Sequence, residues 1–181
     1  DITATECAHF LDKEVDLVTP NGFENVFTPK PDEWDEKRKA GREKFLQVAQ
    51  ALLGRAVSED ALIAGISGRY EFKNKGLDVF IDAMGHLNRM AGYNKEILAF
   101  ILVPGGHTGP NKELLHNLER PYQAIESTNL FLTHYLADEP NDPVMNRIKM
   151  QELHNGENDK VKIFFVPSYL NGDDGVFDMP Y

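Results

Sequence analysis

Disulfides and membrane spans are both missing from this sequence of 181 residues. It contains one cysteine, Cys7, so no intramolecular disulfide can form, and a lone cysteine fits a reducing compartment. No apolar run approaches the length of a membrane span, and no secretory signal pattern is present. The sequence starts at Asp1 rather than methionine, so we expect an excised piece of a longer protein. We expect a cytoplasmic location and no membrane partner.

Basic residues are also scarce. The 19 lysines and arginines are outnumbered by 29 acidic residues, which gives a net charge of −10. The densest basic cluster, at residues 37–39, is interleaved with acidic neighbours, a pattern typical of a solvated helix face. Nucleic-acid binding needs a basic stripe, which this sequence lacks. We therefore expect no nucleic-acid partner.

The sequence lacks the short motifs of several enzyme classes. Its six histidines are scattered, and no pair has the spacing of a metal site. Neither Ser67 nor Ser168 lies in a Gly-x-Ser-x-Gly turn, and the P-loop and dinucleotide fingerprints are absent. With 29 acidic residues, no carboxylate pair stands out as a general acid and base. We expect no metal and no organic cofactor.

Apolar runs are the main positive signal. Runs at residues 62–66, 97–103 and 160–167 predict buried parallel strands. An i, i+3, i+4, i+7 stripe from Leu77 predicts a helix after the first run, and a long helix is predicted at 32–54. The alternation predicts an α/β fold, a Rossmann-like parallel sheet flanked by helices.

Other segments give weaker signals. His134 lies in an apolar stretch, where a histidine is usually a buried group with satisfied hydrogen bonds. The patterns further predict a helix at 2–11, a strand at 15–19, mainly helical structure within 111–139 and a helix at 142–153.

The loop between the first strand and its helix carries an unusual charge pattern. Gly68 ends the apolar run, Arg69 follows it, and Lys75 lies near the start of the next helix, where the helix dipole disfavours a cation. Free backbone amides at a helix start bind phosphate, and ligands of open α/β sheets collect at the carboxyl ends of the strands. From the residues alone, a phosphate site and a set of solvated charges both stay open.

Residues 67–80, Ser-Gly-Arg-Tyr-Glu-Phe-Lys-Asn-Lys-Gly-Leu-Asp-Val-Phe, resemble the donor-phosphate loop of glycogen synthases of the animal and fungal type. The resemblance implies part of the C-terminal domain of a GT-B glycosyltransferase. It also implies that Arg69 and Lys75 contact the diphosphate of UDP-glucose and act in catalysis, with Gly68 also in the donor site. The six-residue offset from Arg69 to Lys75 differs from the ADP-glucose enzymes, whose loop is one residue shorter.

The resemblance extends over nearly the whole chain. Residues 3–23 resemble the segment that closes the family's N-terminal domain and enters the hinge. This likeness implies that residues 1–22 are the end of the preceding N-terminal domain and the hinge. Residues 23–181 then form an incomplete Rossmann-like nucleotide-sugar-binding domain with a helical connector near 111–153. Asn21 and Gly22 alone indicate an ordinary turn. The resemblance instead makes Asn21 a donor-binding candidate.

The implied function is a retaining transfer of glucose from UDP-glucose to a growing α-1,4-glucan, without a metal. The family's Glu-x7-Glu pair and acceptor groove lie outside these residues, so we expect the 181 residues alone to be inactive. The family's oligomer insertion is abbreviated here, which leaves a homo-oligomer open. The alternatives are a non-catalytic nucleotide-sugar or phosphate-binding scaffold and a related GT-B transferase with another sugar.

Overall fold

The computed structural model describes residues 2–92, 94–121, 124–125 and 127–177. The chain divides into two compact units, Asp1–Lys37 and Arg38–Tyr181. The prediction that residues 1–22 end a preceding domain and that 23–181 form an incomplete nucleotide-sugar domain stays a prediction.

The first unit has little regular structure. Helix α1 (Ile2–Leu11) has the predicted bounds and buries no residue, and one 3-10 turn follows at Asn25–Phe27. The predicted strand at 15–19 is wrong, because the structure has no strand there. Alternation along a segment does not form a strand without a neighbouring strand to complete its hydrogen bonds.

The rest of the described chain has the predicted strands and helices, together with two short strands that were not predicted. The long helix α2 is slightly shorter than the predicted 32–54, and the helix predicted at 142–153 ends earlier. In chain order the elements are α2 (Trp34–Leu53), β1 (Leu62–Ser67), α3 (Leu77–Arg89), β2 (Ile97–Leu102), β3 (His107–Pro110), α4 (Lys112–Glu119), β4 (His134–Leu136), α5 (Pro143–Met150) and β5 (Val161–Val166).

Strands β1, β2 and β5 form one parallel sheet in that order, which confirms the predicted α/β fold. Leu62 pairs with Ile97, and Ile97 pairs with Val161, so the strands are in register from their first residues. β5 is buried throughout. β1 lies at the edge of this sheet and is partly exposed, so the expectation that it is fully buried is wrong.

Alternate residues of the sheet pack on helices at its two faces. Ala99 and Ile101 of β2 belong to a core cluster with α3 and α5, whereas Leu98 and Phe100 belong to a cluster with α2 and α4. The Phe100 ring lies 4.7 Å from that of Phe45, measured between centroids. This division follows from the strand period of two, which places successive side chains on opposite faces of the sheet.

The segment between α4 and α5 differs from its helical prediction. β4 lies in this segment and pairs antiparallel with β3, which precedes α4, and Leu132 bridges to Phe165 at the edge of β5. The backbone N–H of Thr133 donates to the Phe165 carbonyl over 3.1 Å. A short apolar run is compatible with either a helix or a strand. Here the segment is extended because its backbone forms hydrogen bonds with the free edge of β5.

His134 is a buried and hydrogen-bonded histidine, as its apolar surroundings predicted. Its Nε2–H donates to the carbonyl of Asp174 over 2.8 Å, and its Nδ1 lies 3.0 Å from the Thr133 hydroxyl. The His107 ring packs against it with a centroid distance of 4.8 Å. Burial, reinforced by His107, lowers the pKa of His134 below its ordinary value of 6.5.

Acidification is therefore expected to destabilise the fold through His134. Between the lowered folded-state pKa and 6.5, the unfolded chain binds more protons than the folded one, so stability falls as pH falls through this window. Urea denaturation of wild type and His134→Gln at pH 7.5, 6.5 and 5.5 measures the effect. His154→Gln, at an exposed position, is the control and should keep the wild-type pH dependence. An unchanged pH dependence in His134→Gln would contradict the assignment.

Candidate functional site at the carboxyl edge of the sheet

The carboxyl ends of β1, β2 and β5 border one open groove. Its volume is about 670 Å³, and its lining includes Ser67, Gly68, Arg69, Pro104, Ser168 and Tyr169. In open α/β sheets this edge is where ligands bind. The structure therefore brings two of the predicted residues, Gly68 and Arg69, to the groove.

Gly68 allows the chain to turn sharply at the end of β1. Its φ of +148° is a conformation that other residues rarely adopt. A side chain there would meet the stem of Lys75, whose Cδ would lie 3.8 Å from an added Cβ. The third predicted residue, Lys75, thus lies beside Gly68, although it follows Gly68 by seven positions in the sequence.

The turn before α3 uses its own backbone amides. The N–H groups of Lys75, Gly76 and Leu77 donate to the carbonyls of Glu71, Lys73 and Phe72. Lys75 precedes the first helical residue, Leu77, by two positions, so it is not in the first turn of α3. These three amides are therefore not available to an anion.

The three basic side chains of the loop differ in their partners. Arg69 is exposed, and its Nε lies 2.9 Å from Glu71 Oε1. Lys73 Nζ lies 2.6 Å from Asp78 Oδ2. The ammonium of Lys75 makes no ion pair or hydrogen bond with any residue that the structure describes. Within the described part of the chain, Lys73 is therefore paired with a carboxylate and Lys75 is not.

Tyr70 fixes the loop to the body of the sheet. Its hydroxyl donates to Asp142 Oδ2 over 2.5 Å, and Asp142 also caps α5 by accepting from the Met145 N–H over 2.9 Å. The Tyr70 ring packs edge-on against Phe165 of β5. Burial raises the pKa of Tyr70, and Asp142 raises it further, so the hydroxyl stays a donor at neutral pH. The sequence reasoning missed this anchor, whose partners are far apart in the chain.

Two groove residues after β5 were also missed. Ser168 is 8% exposed, whereas the Tyr169 side chain is 72% exposed. Both follow the carboxyl end of a predicted strand, and that position is the signal that could have identified them. The remaining candidate, Asn21, belongs to the first unit, so its place in the donor site stays a prediction.

The described residues contain neither a cluster of metal ligands nor a membrane-spanning helix. No group of three or more histidine, cysteine, aspartate or glutamate side chains in this part of the chain is arranged to hold a metal ion. In the same residues, no helix has the length and apolar character needed to cross a membrane.

A family model described as glycogen synthase matches residues 1–129 and 111–181. The chain belongs to the glycogen synthase family. Glycogen (starch) synthase isoform 1 of Saccharomyces cerevisiae is 25% identical over 243 aligned positions, which include 99% of this chain and 34% of the relative. The Neurospora crassa enzyme is 25% identical with the same coverage, and the liver enzyme of Rattus norvegicus is 24% identical over 100% of this chain and 33% of its own length.

The chain spans about a third of the length of these glycogen synthase relatives. The alignment with the yeast relative is longer than the 181 residues of this chain, so it opens gaps here. The two segments matched by the family model overlap at residues 111–129, which include α4. The relatives therefore contain residues within the matched region that this chain lacks.

Proposed function

We propose that the groove is the donor-diphosphate site of a glycogen synthase. In this proposal the full-length protein is a retaining GT-B glycosyltransferase that moves glucose from UDP-glucose to an α-1,4-glucan. The proposal rests on one observation about Lys75. Its charge is paired with no described carboxylate, and its stem lies beside Gly68, which precedes Arg69 at the groove. Family membership supports the reaction class.

The proposed chemistry follows from the leaving group. Negative charge grows on the diphosphate as its bond to glucose breaks, and positive groups already in place stabilise that charge. Arg69 uses only Nε toward Glu71, so its terminal nitrogens remain to form a two-point contact with phosphate oxygens. Lys75, whose stem lies beside Gly68, adds a compact charge. Tyr70 limits the movement of the loop that carries both.

The order of the strands suggests how a nucleotide lies. β5 is two strands from β1, which is roughly 10 Å at the usual spacing between strands. With the diphosphate at Arg69, the nucleoside extends toward the loop after β5. There the exposed ring of Tyr169 offers a flat apolar face to a nucleobase.

The other parts of the proposal rest on the family and on composition. The glucan would bind through parts of the full-length protein outside these residues, and catalysis would proceed without a metal. We place the protein in the cytoplasm, in keeping with its single free cysteine, Cys7. A homo-oligomer remains open. A non-catalytic nucleotide-sugar scaffold is the competing function.

The test is radiolabel transfer from UDP-glucose to glycogen, with the full-length protein and the 181-residue chain assayed side by side. We expect transfer by the full-length protein and none by the 181 residues alone, which span about a third of the relatives. UDP binding without transfer by the full-length protein would favour the scaffold. Robust transfer by the 181 residues would contradict this account of where catalysis takes place.

A further inference from the structure

Ser168 lines the groove with a hydroxyl that has no partner among the described residues. The residue is 8% exposed and lines the groove, yet its Oγ makes no hydrogen bond with any described residue. Oγ is also not among the fully enclosed atoms without a partner, so it keeps contact with the open space. This hydroxyl is therefore accessible from the groove and available to a ligand.

The other buried hydroxyls of the described chain are satisfied. Ser127, at 7% exposure, donates to the Asn129 carbonyl over 2.9 Å and lies 3.2 Å from Glu113 Oε2. The Thr133 hydroxyl lies 3.0 Å from Nδ1 of His134. Ser168 is therefore the exception among buried serines and threonines in the described residues, and it lies in the groove.

The position of Ser168 suggests its partner. It follows β5, at the end of the groove away from the β1 loop that carries Arg69. If the diphosphate lies at Arg69, the part of the nucleotide that reaches Ser168 is the base, next to the Tyr169 ring. A hydroxyl both donates and accepts, so it can pair with a ring carbonyl or a ring N–H at the edge of a pyrimidine.

We infer that the Ser168 hydroxyl binds the edge of the donor's nucleobase and contributes to the choice of base. This inference rests on the proposed function, because it needs the diphosphate at Arg69. An empty groove leaves the hydroxyl to water, and the bound base replaces that water with a fixed partner. The gain is that of one ordinary hydrogen bond, and we expect about a 3-fold to 10-fold effect on nucleotide affinity.

The experiment measures dissociation constants of UDP and of inorganic pyrophosphate for the full-length protein by calorimetry. Ser168→Ala should weaken UDP binding by about 3-fold to 10-fold and leave the affinity for pyrophosphate unchanged, because pyrophosphate has no base. Its melting temperature should not fall, since the hydroxyl has no protein partner. Ser127→Ala is the matched control: an equally buried serine, whose loss should lower the melting temperature and leave UDP affinity unchanged.

A second ligand separates the base from the sugar. The nucleotide 2′,3′-dideoxy-UDP lacks both ribose hydroxyls. Ser168→Ala should weaken its binding by the same factor as it weakens UDP binding. A loss seen with UDP but not with the dideoxy nucleotide would make the ribose the partner and overturn the inference. A lower melting temperature in Ser168→Ala with unchanged UDP affinity would also overturn it, because the hydroxyl would then serve the fold.

Arg69→Ala distinguishes failure of this inference from failure of the proposed function. If Arg69→Ala weakens the binding of both UDP and pyrophosphate while Ser168→Ala weakens the binding of neither, the donor site is supported and the role of Ser168 is refuted. If Arg69→Ala changes neither affinity, the diphosphate site itself is refuted, and the inference is refuted with it.

Discussion

Replacing Arg69 or Lys75 by alanine in the full-length protein is expected to lower kcat by about 100-fold, the usual cost of removing one preorganised group that stabilises transition-state charge. Charge on the leaving diphosphate peaks in the transition state, so kcat should fall more than glycogen binding weakens. Stability should change by less than about 0.5 kcal/mol, because both side chains are exposed. Steady-state kinetics and thermal melts measure the three quantities.

Lys73→Ala is the matched control for both variants. It removes the same type of charge from the same loop, but Lys73 is already paired with Asp78 at 2.6 Å and therefore has less charge to offer a phosphate. We expect kcat of this variant to stay within a few-fold of wild type. Equal and small effects at all three positions would refute the phosphate site and leave three solvated surface charges.

Asn155→Ala is expected to cost about 3–5 kcal/mol of stability. The Asn155 side chain is fully buried, where its amide donates to the carbonyls of Leu130 and Ile163 over 2.9 Å each, and its oxygen accepts from the Ile163 N–H over 2.8 Å. Alanine leaves these groups unsatisfied at about 1–3 kcal/mol each, partly offset by relaxation. The φ of +55° at this position also disfavours alanine.

Urea denaturation of the 181-residue chain measures this loss. Asn141→Ala is the control, since Asn141 is exposed and bonds only to the side chain of Asp138, and its replacement should cost less than about 0.5 kcal/mol. A loss below about 1 kcal/mol for Asn155→Ala would mean that the edge of β5 is held by other contacts. Because β5 leads directly to Ser168, a severe loss should also weaken UDP binding.

The segments that sequence reasoning identified correctly are those whose signal is local. β2 and β5 are runs without charge, apart from Lys162, and such runs are stable only when buried. The helix after β1 follows from its apolar stripe, and Gly68 with its unusual φ was identified as the end of the strand. The fold class and the loop that borders the groove therefore followed from the order of residues.

The order of residues was enough to predict the main strands and helices and to place Gly68, Arg69 and Lys75 in one loop, because burial periodicity and glycine conformation depend on neighbouring residues. The folded structure was needed to show that Leu132 pairs with β5, that Tyr70 is anchored by Asp142, and that Ser168 shares a groove with Arg69. Tyr70 and Asp142 are 72 residues apart, and no local pattern records such a pair. The register of the parallel strands brings these residues together, since it aligns the carboxyl ends of β1, β2 and β5 at one edge.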